Sequence, residues 1–127
     1  MNDFKSIIEQ YSALLPVGTS VSYTEATRRA GEFLMVLAKI TNIRHILSNE
    51  KVKLLTVQTA TYAQEMAKGV GKTVTQDKIA AEASEAYVYA REALETLDND
   101  LVYLKAYYDI FTNAAVFYRQ MSRGEIV

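Results

Sequence analysis

Apolar residues recur three and four positions apart along most of this chain, which is the spacing of one face of an α-helix. Two long segments with this spacing, residues 22–68 and 75–123, contain no proline and only one glycine, Gly31. A shorter segment, residues 3–15, has the same pattern and ends before Pro16. The pattern predicts an all-α fold in one domain, residues 1–127. It is a long antiparallel helical hairpin with coiled-coil-like packing and a short N-terminal helix.

Local signals mark the ends of the two long helices. Ser22 followed three residues later by Glu25 is a capping-box pattern for the start of the second helix. Glycines in the stretch 69–74 predict the turn, and Thr75 is the predicted N-cap of the third helix. The apolar register weakens at residues 48–51, where a kink, a polar core layer or a true break would each fit. We expect a continuous or mildly bent helix there.

The third helix has a seam of apolar residues at heptad spacing with one extra four-residue step, which is typical of coiled-coil-like packing. The seam consists of Ile79, Ala83, Ala86, Ala90, Ala93, Leu97, Leu101, Leu104, Tyr108, Phe111, Ala115 and Tyr118. Further apolar residues lie off this seam, namely Tyr87, Tyr89, Leu94, Val102, Tyr103 and Tyr107. Either the N-terminal helix or another subunit must cover them. We expect a homo-oligomer, with Tyr87, Leu94, Tyr103 and Tyr107 in its interface.

Composition excludes several classes of protein. Half of the 127 residues are hydrophobic, which excludes a disordered chain. Cysteine is absent, so disulfides, thiol nucleophiles and thiolate metal sites are excluded, and a reducing cytoplasm is the expected location. The apolar runs are shorter than the roughly 20 residues that span a bilayer, and the N-terminus lacks the pattern of a signal peptide. We therefore expect no membrane association.

Charge is divided between the two long segments although the whole chain carries a formal charge of only −1. Residues 22–72 hold eight basic and four acidic side chains, whereas residues 73–127 hold five basic and nine acidic ones. The simplest interpretation is that the two helices attract each other across the hairpin. The alternative is that the basic helix also presents a face to phosphates.

No motif predicts catalysis. Gly71-Lys72-Thr73 matches the end of a phosphate-binding loop, but the first glycine of that motif falls at Met66 and a helix precedes the loop. His45 is the only histidine, the paired glutamates of the third helix fit a solvated face, and no serine or threonine is paired with a base. The nine tyrosines fit core or interface positions, with base stacking by one or two as the alternative. We expect no enzyme activity, cofactor, metal ion or small-molecule substrate.

The segment from Lys72 to Glu125 resembles the C-terminal half of small phage-encoded helical proteins of the UvsY recombination-mediator family. The similar features are a threonine that opens a long helix, an acidic alanine-rich first half, a central acidic patch at residues 98–100 and a terminal Ser122-Arg123-Gly124. Upstream, Lys51 and Lys53 lie on a helix that runs into a tyrosine and a glycine turn, which is also similar to the family.

This resemblance implies a cytoplasmic, oligomeric, non-enzymatic protein, in the host cytoplasm if a phage encodes it. Such proteins bind single-stranded DNA and help to load a recombinase onto strands coated by a single-strand-binding protein. The DNA contacts of the family are basic residues on the helix before the turn. The corresponding candidates are Arg44, Lys51, Lys53, Lys68 and Lys72. The positions that follow, Val57 to Thr61, are uncharged where the family pattern has more basic residues.

Two other classes of protein fit the same pattern. One is a helical assembly or interaction protein, such as a virion component or a phage inhibitor of a host defence system. The other is an enzyme subunit without an active site of its own.

Overall fold

The computed structural model describes residues 3–16, 20–69, 71 and 73–124. They form four α-helices: α1 (Asp3–Ser12), α2 (Tyr23–Ala67), α3 (Val74–Ala83) and α4 (Glu85–Ser122). The described residues contain no strand. The predicted all-α fold is confirmed, since α2 and α4 form a long antiparallel helix pair that packs together with the short N-terminal helix.

The N-terminal helix is shorter than the predicted segment 3–15. Ser12 is its last residue, and the chain then tightens into a turn in which the amides of Leu14 and Leu15 donate to carbonyls three residues back. Pro16 explains this ending, because a proline disfavours α-helical geometry in the residue before it.

The second helix is continuous, as expected, through residues 48–51. The Glu25 amide donates to the Ser22 hydroxyl at 3.1 Å, so Ser22 is the predicted cap. The Glu25 carboxylate does not return to the cap, because it accepts hydrogen bonds from Arg28 and Arg29. At the other end, Gly69 has a φ of +58°, the left-handed geometry that favours glycine after a helix.

The predicted third helix, residues 75–123, is two helices. Thr73, and not Thr75, is the N-cap of α3, and its hydroxyl accepts a hydrogen bond from the Gln76 amide at 3.1 Å. Asp77 lies in the first turn as predicted, and it accepts a hydrogen bond from the Gly71 amide at 2.7 Å. Ser84 then separates α3 from α4.

Ser84 causes the break by bonding to both helix ends. Its hydroxyl donates to the Ala81 carbonyl at 2.8 Å and accepts from the Tyr87 amide at 3.2 Å. Its carbonyl accepts the first helical bond of α4, from the Val88 amide. Ser84 is therefore the N-cap of α4, since serine side chains compete with helical hydrogen bonding in this way.

The break shifts the predicted seam. Ile79, Ala83 and Ala86 are exposed, because the helical register is not carried through Ser84. The seam holds farther along α4, where the buried members are Ala90, Leu97, Leu104, Phe111, Ala115 and Tyr118.

The chain forms two compact units. The first contains α1, α2 up to His45 and α4 from Val102, and the second is Ile46–Leu101. An aromatic cluster fills the first unit, where the rings of Phe33 and Phe111 lie 5.4 Å apart and those of Phe33 and Tyr118 lie 5.9 Å apart. Tyr11 of α1 packs against the same rings.

The core of the second unit is much smaller. Its buried hydrophobic residues are Leu47, Ala81, Ala90, Leu94 and Leu97. Side-chain contacts that join its helices include the rings of Tyr62 and Tyr87, which lie 5.6 Å apart, and the Lys51 ammonium, which lies 2.8 Å from the Asp98 carboxylate.

Candidate nucleic-acid interface and exposed apolar surfaces

Arg44 and Lys51, two of the predicted phosphate ligands, have partners on α4. The Arg44 guanidinium lies over the Tyr108 ring, 5.5 Å from its centroid. Lys51 is ion-paired with Asp98, and both side chains are partly exposed. An exposed ion pair of this kind contributes only about 0–1 kcal/mol, so a phosphate can replace Asp98 at little cost.

Lys53 is exposed, and the structure gives it no ion pair among the described residues. It follows Lys51 by two positions, which places it about 200° around the helix, on the opposite face. Lys68 is 59% exposed and pairs with Glu65 at 2.9 Å. Fifteen residues separate Lys53 from Lys68, so the two lie about 60° apart on adjoining faces. Lys72 lies outside the described residues.

The predicted phosphate-binding set therefore divides. Lys53 and Lys68 are available at the surface of the second unit, whereas Arg44 and Lys51 are turned towards α4. The sequence pattern could not distinguish them, because Tyr108 and Asp98, the partners of Arg44 and Lys51, lie at distant positions along the chain.

The four residues predicted for an oligomer interface all have partners within the chain. Tyr87 packs on Tyr62, and Leu94 is buried. The Tyr103 ring lies between Phe4 of α1 at 6.1 Å and Tyr107 at 4.9 Å, and the Tyr107 ring also contacts Phe111. Burial, and secondly the neighbouring Tyr107, raise the pKa of Tyr103 above its ordinary value of 10.0. The N-terminal helix thus covers part of the apolar surplus, which was the alternative to a partner subunit.

Other apolar residues remain exposed. Tyr89 is 77% exposed and Val102 is 69% exposed, and both belong to the predicted surplus. Leu34 and Val57 of α2 are 57% and 52% exposed. These residues are more exposed than the four that the sequence pattern indicated for an oligomer interface.

Several of the exposed apolar surfaces are concave, and two of them lie between α2 and α4. The first, here called the Leu34 groove, lies between α2 and α4 in the first unit and has a volume of about 200 Å³. It is lined by Ala30, Leu34, Leu37, Thr112, Ala115, Val116 and Arg119. The second, here called the Tyr89 trough, lies in the second unit and has a volume of about 580 Å³. It is lined by Leu54, Val57, Thr61, Glu85, Ala86, Tyr89, Ala90 and Ala93.

A polar network in the first unit was not foreseen from the sequence. Hydrogen bonds from Arg28, and secondly from Arg29, lower the pKa of Glu25 to about 2 from its ordinary value of 4.5. Arg29 also donates to the Tyr118 hydroxyl at 3.0 Å, and this hydroxyl donates to the Leu14 carbonyl at 2.6 Å. The helical spacing of Glu25, Arg28 and Arg29 was visible, but the link to Tyr118 requires the tertiary structure.

The acidic and histidine side chains form no metal-binding cluster in the part of the chain that the structure describes. No group of three or more histidine, aspartate or glutamate side chains there could hold a metal ion. His45 is exposed on α2. A cavity of about 280 Å³ beside Tyr62 and Tyr87 has Glu82 as its only ionisable carboxylate.

No helix among the described residues combines the length and the apolar character needed to cross a membrane. The chain matches no model of a known protein family, no curated protein sequence and no solved structure.

Proposed function

We propose that this protein is a non-enzymatic recombination mediator of the UvsY type, which binds single-stranded DNA as a helical homo-oligomer in the cytoplasm. The sequence resemblance over residues 51–125 suggests this function. The structural observation that carries it is the pair of exposed lysines, Lys53 and Lys68, on the helix that precedes the glycine turn.

DNA binding through these lysines is electrostatic and independent of base sequence. Lys53 and Lys68 contact backbone phosphates, and Lys51, on the opposite face of α2, adds a third contact only where the strand passes around the helix and a phosphate replaces Asp98. Two or three phosphate contacts per copy give weak binding, with affinity falling about tenfold between 50 and 200 mM salt. Self-association compensates, because several weak sites on one oligomer bind the same strand together. This is why an oligomeric state belongs to the proposal.

The test is a fluorescence-anisotropy titration of a labelled single-stranded oligonucleotide at low and moderate salt. We expect Lys53→Glu and Lys68→Glu each to weaken binding several-fold and to reduce its salt dependence. Lys5→Glu is the matched control, since it makes the same charge change at an exposed position of α1. Absence of binding by the wild type at micromolar concentration in about 50 mM salt would remove the proposal. A second assay, recombinase loading onto strands coated by single-strand-binding protein, then tests mediation itself.

A helical assembly or interaction protein is the second candidate. The Leu34 groove and the Tyr89 trough favour it, because contiguous exposed apolar surfaces mark sites of protein association. A defined oligomer that does not bind single-stranded DNA would select this candidate over the first.

A further inference from the structure

The Leu34 groove has an apolar interior and a basic rim. Its floor is formed by Ala30 and Ala115, which are 9% and 7% exposed, while Leu34 projects from its α2 wall. Arg119 lies at its α4 wall, and Arg123 follows one helical turn later. Both arginines are exposed, and the structure gives their side chains no ion pair within the described residues. The groove therefore suits an apolar side chain accompanied by acidic groups.

The α4 side of the Tyr89 trough carries the opposite charge, whereas Lys53 lies one helical turn before Val57 on its α2 side. Its floor is formed by alanines of α4, which leave a hollow where a large side chain of another helix can fit. Tyr89 stands at its edge, 77% exposed. Glu85 and Glu92 lie four residues before and three residues after Tyr89, so the three share one helix face. Both glutamates are exposed.

We infer that the Leu34 groove of one copy of this chain binds the Tyr89 face of α4 from a second copy. The charges are complementary, because Arg119 and Arg123 meet Glu85 and Glu92. The shapes are complementary as well, because the projecting Leu34 fits the hollow above the alanines of the trough. Since every copy carries both surfaces, the protein supplies its own partner.

The size of the cores gives an independent reason for a second copy. Among the described residues, fourteen hydrophobic residues are buried in the first unit and five in the second, two of which are alanines. A unit of this size with so small a core gains stability when a partner covers its exposed apolar residues. A second copy is present wherever the protein is made, so self-association can provide this cover without a different protein.

The contact is heterologous, since the groove and the trough are different surfaces. Each added copy leaves one free groove and one free trough, so association continues until a ring closes or a filament grows. The inference rests on one part of the proposed function, which is self-association, and it needs no DNA. The experiments below are done without DNA, so failure of DNA binding leaves the inference standing.

Charge reversal tests the contact by sedimentation velocity. We expect Arg119→Glu and Glu92→Arg each to weaken self-association at least tenfold, which is about 1.4 kcal/mol, and an equimolar mixture of the two to restore it. Arg119 lies in the last turn of α4, so its reversal also costs some helix stability; thermal melting measures that separately. Restoration in the mixture cannot come from improved folding of either variant.

Polar substitution of the exposed apolar residues tests the head-to-tail geometry. Leu34→Gln removes the apolar contact of the groove, and Tyr89→Gln removes that of the trough. Both residues are exposed, so folding is preserved. We expect each variant alone to be monomeric. Their mixture should stop at a dimer, because the intact groove of Tyr89→Gln binds the intact trough of Leu34→Gln and no other intact surface is left. Met35→Gln and Val102→Gln are the matched controls; these residues are 59% and 69% exposed and line neither surface.

Three results would overturn the inference. One is a wild type that stays monomeric at about 100 µM. Another is self-association of both charge variants with the affinity of the wild type, which would mean that the copies meet through other surfaces. The third is a mixture of the charge variants that remains dissociated, which would indicate that the two rims do not face each other.

Discussion

The Tyr118 hydroxyl joins α2, α4 and the turn after α1. It donates to the Leu14 carbonyl and accepts a hydrogen bond from Arg29, while its ring stacks on Phe33 in the core. Tyr118 is 1% exposed, and removal of its hydroxyl leaves the Leu14 carbonyl and the Arg29 guanidinium without this partly buried partner. Leaving a buried polar group without its hydrogen bond lowers the free energy of unfolding by more than the bond itself contributes.

We predict that Tyr118→Phe lowers the free energy of unfolding by about 1–2 kcal/mol, because the ring packing is kept and two hydrogen bonds are lost. Urea denaturation measures the change. Tyr89→Phe makes the same chemical change at an exposed position and should alter stability little. Equal midpoints for Tyr118→Phe and the wild type would show that the hydroxyl does not fasten α1.

Glu25 makes stability depend on pH in acid. Its pKa is depressed to about 2, so between pH 4.5 and pH 2 the unfolded chain binds a proton that the folded chain does not. The stabilisation from the charged carboxylate is therefore complete above pH 4.5 and is lost as the pH falls to about 2. Because the carboxylate is on the surface, solvent screening keeps the effect small.

We predict that Glu25→Gln lowers the melting temperature at pH 6 and that the difference from the wild type disappears near pH 2. Thermal melts followed by circular dichroism across this range test it. Glu95→Gln is the control, since the Glu95 side chain is 67% exposed and lies 3.8 Å from its ion-pair partner Arg91. A constant gap between wild type and Glu25→Gln at all pH values would contradict the lowered pKa.

Capping by Ser84, and not apolar periodicity, decides where α3 ends and α4 begins. Apolar spacing continues through residues 79–97, so periodicity alone predicts one helix there. Ser84 overrides the periodicity because its side chain bonds to groups of both helices. By contrast, residues 48–51 weaken the apolar register of α2 without a break, since their exposed polar side chains are compatible with a helix.

We predict that Ser84→Ala lowers the free energy of unfolding by about 1 kcal/mol, the usual cost of losing a serine N-cap. Ser48→Ala is the matched control within α2. It should be neutral or stabilising, because Ser48 is exposed and alanine has the higher helix propensity. Chemical denaturation measures both. An unchanged or higher stability for Ser84→Ala, with increased helical signal, would mean that α3 and α4 fuse at no cost.

The two compact units differ in how well each is packed. The first unit contains a buried aromatic cluster that includes Phe33, Phe111 and Tyr118. Among the described residues, the second unit buries only a few aliphatic side chains, and its other contacts include the Tyr62–Tyr87 pair and the exposed Lys51–Asp98 ion pair. Regions with few buried apolar contacts open at a lower free energy than well-packed ones.

We predict that backbone amides of α3 and of residues 85–101 exchange with solvent faster than those of residues 102–122. The amides of α2 should divide in the same way, with faster exchange after His45. Hydrogen exchange measured by NMR or mass spectrometry tests this at dilutions that favour the monomer. Uniform protection along α2 and α4 would show instead that the chain opens as one cooperative unit.

The helical class and most helix limits follow from neighbouring residues, because apolar spacing, Ser22, Pro16 and the glycines at 69 and 71 act within a few positions of the chain. Contacts between distant residues depend on the packed fold. Asp98 forms an ion pair with Lys51, and the Tyr108 ring lies beneath the Arg44 guanidinium. A ring of α1 packs on Tyr103. Lys53 and Tyr89 stay exposed. Such pairings are set by how the helices pack against one another, and no local pattern records them.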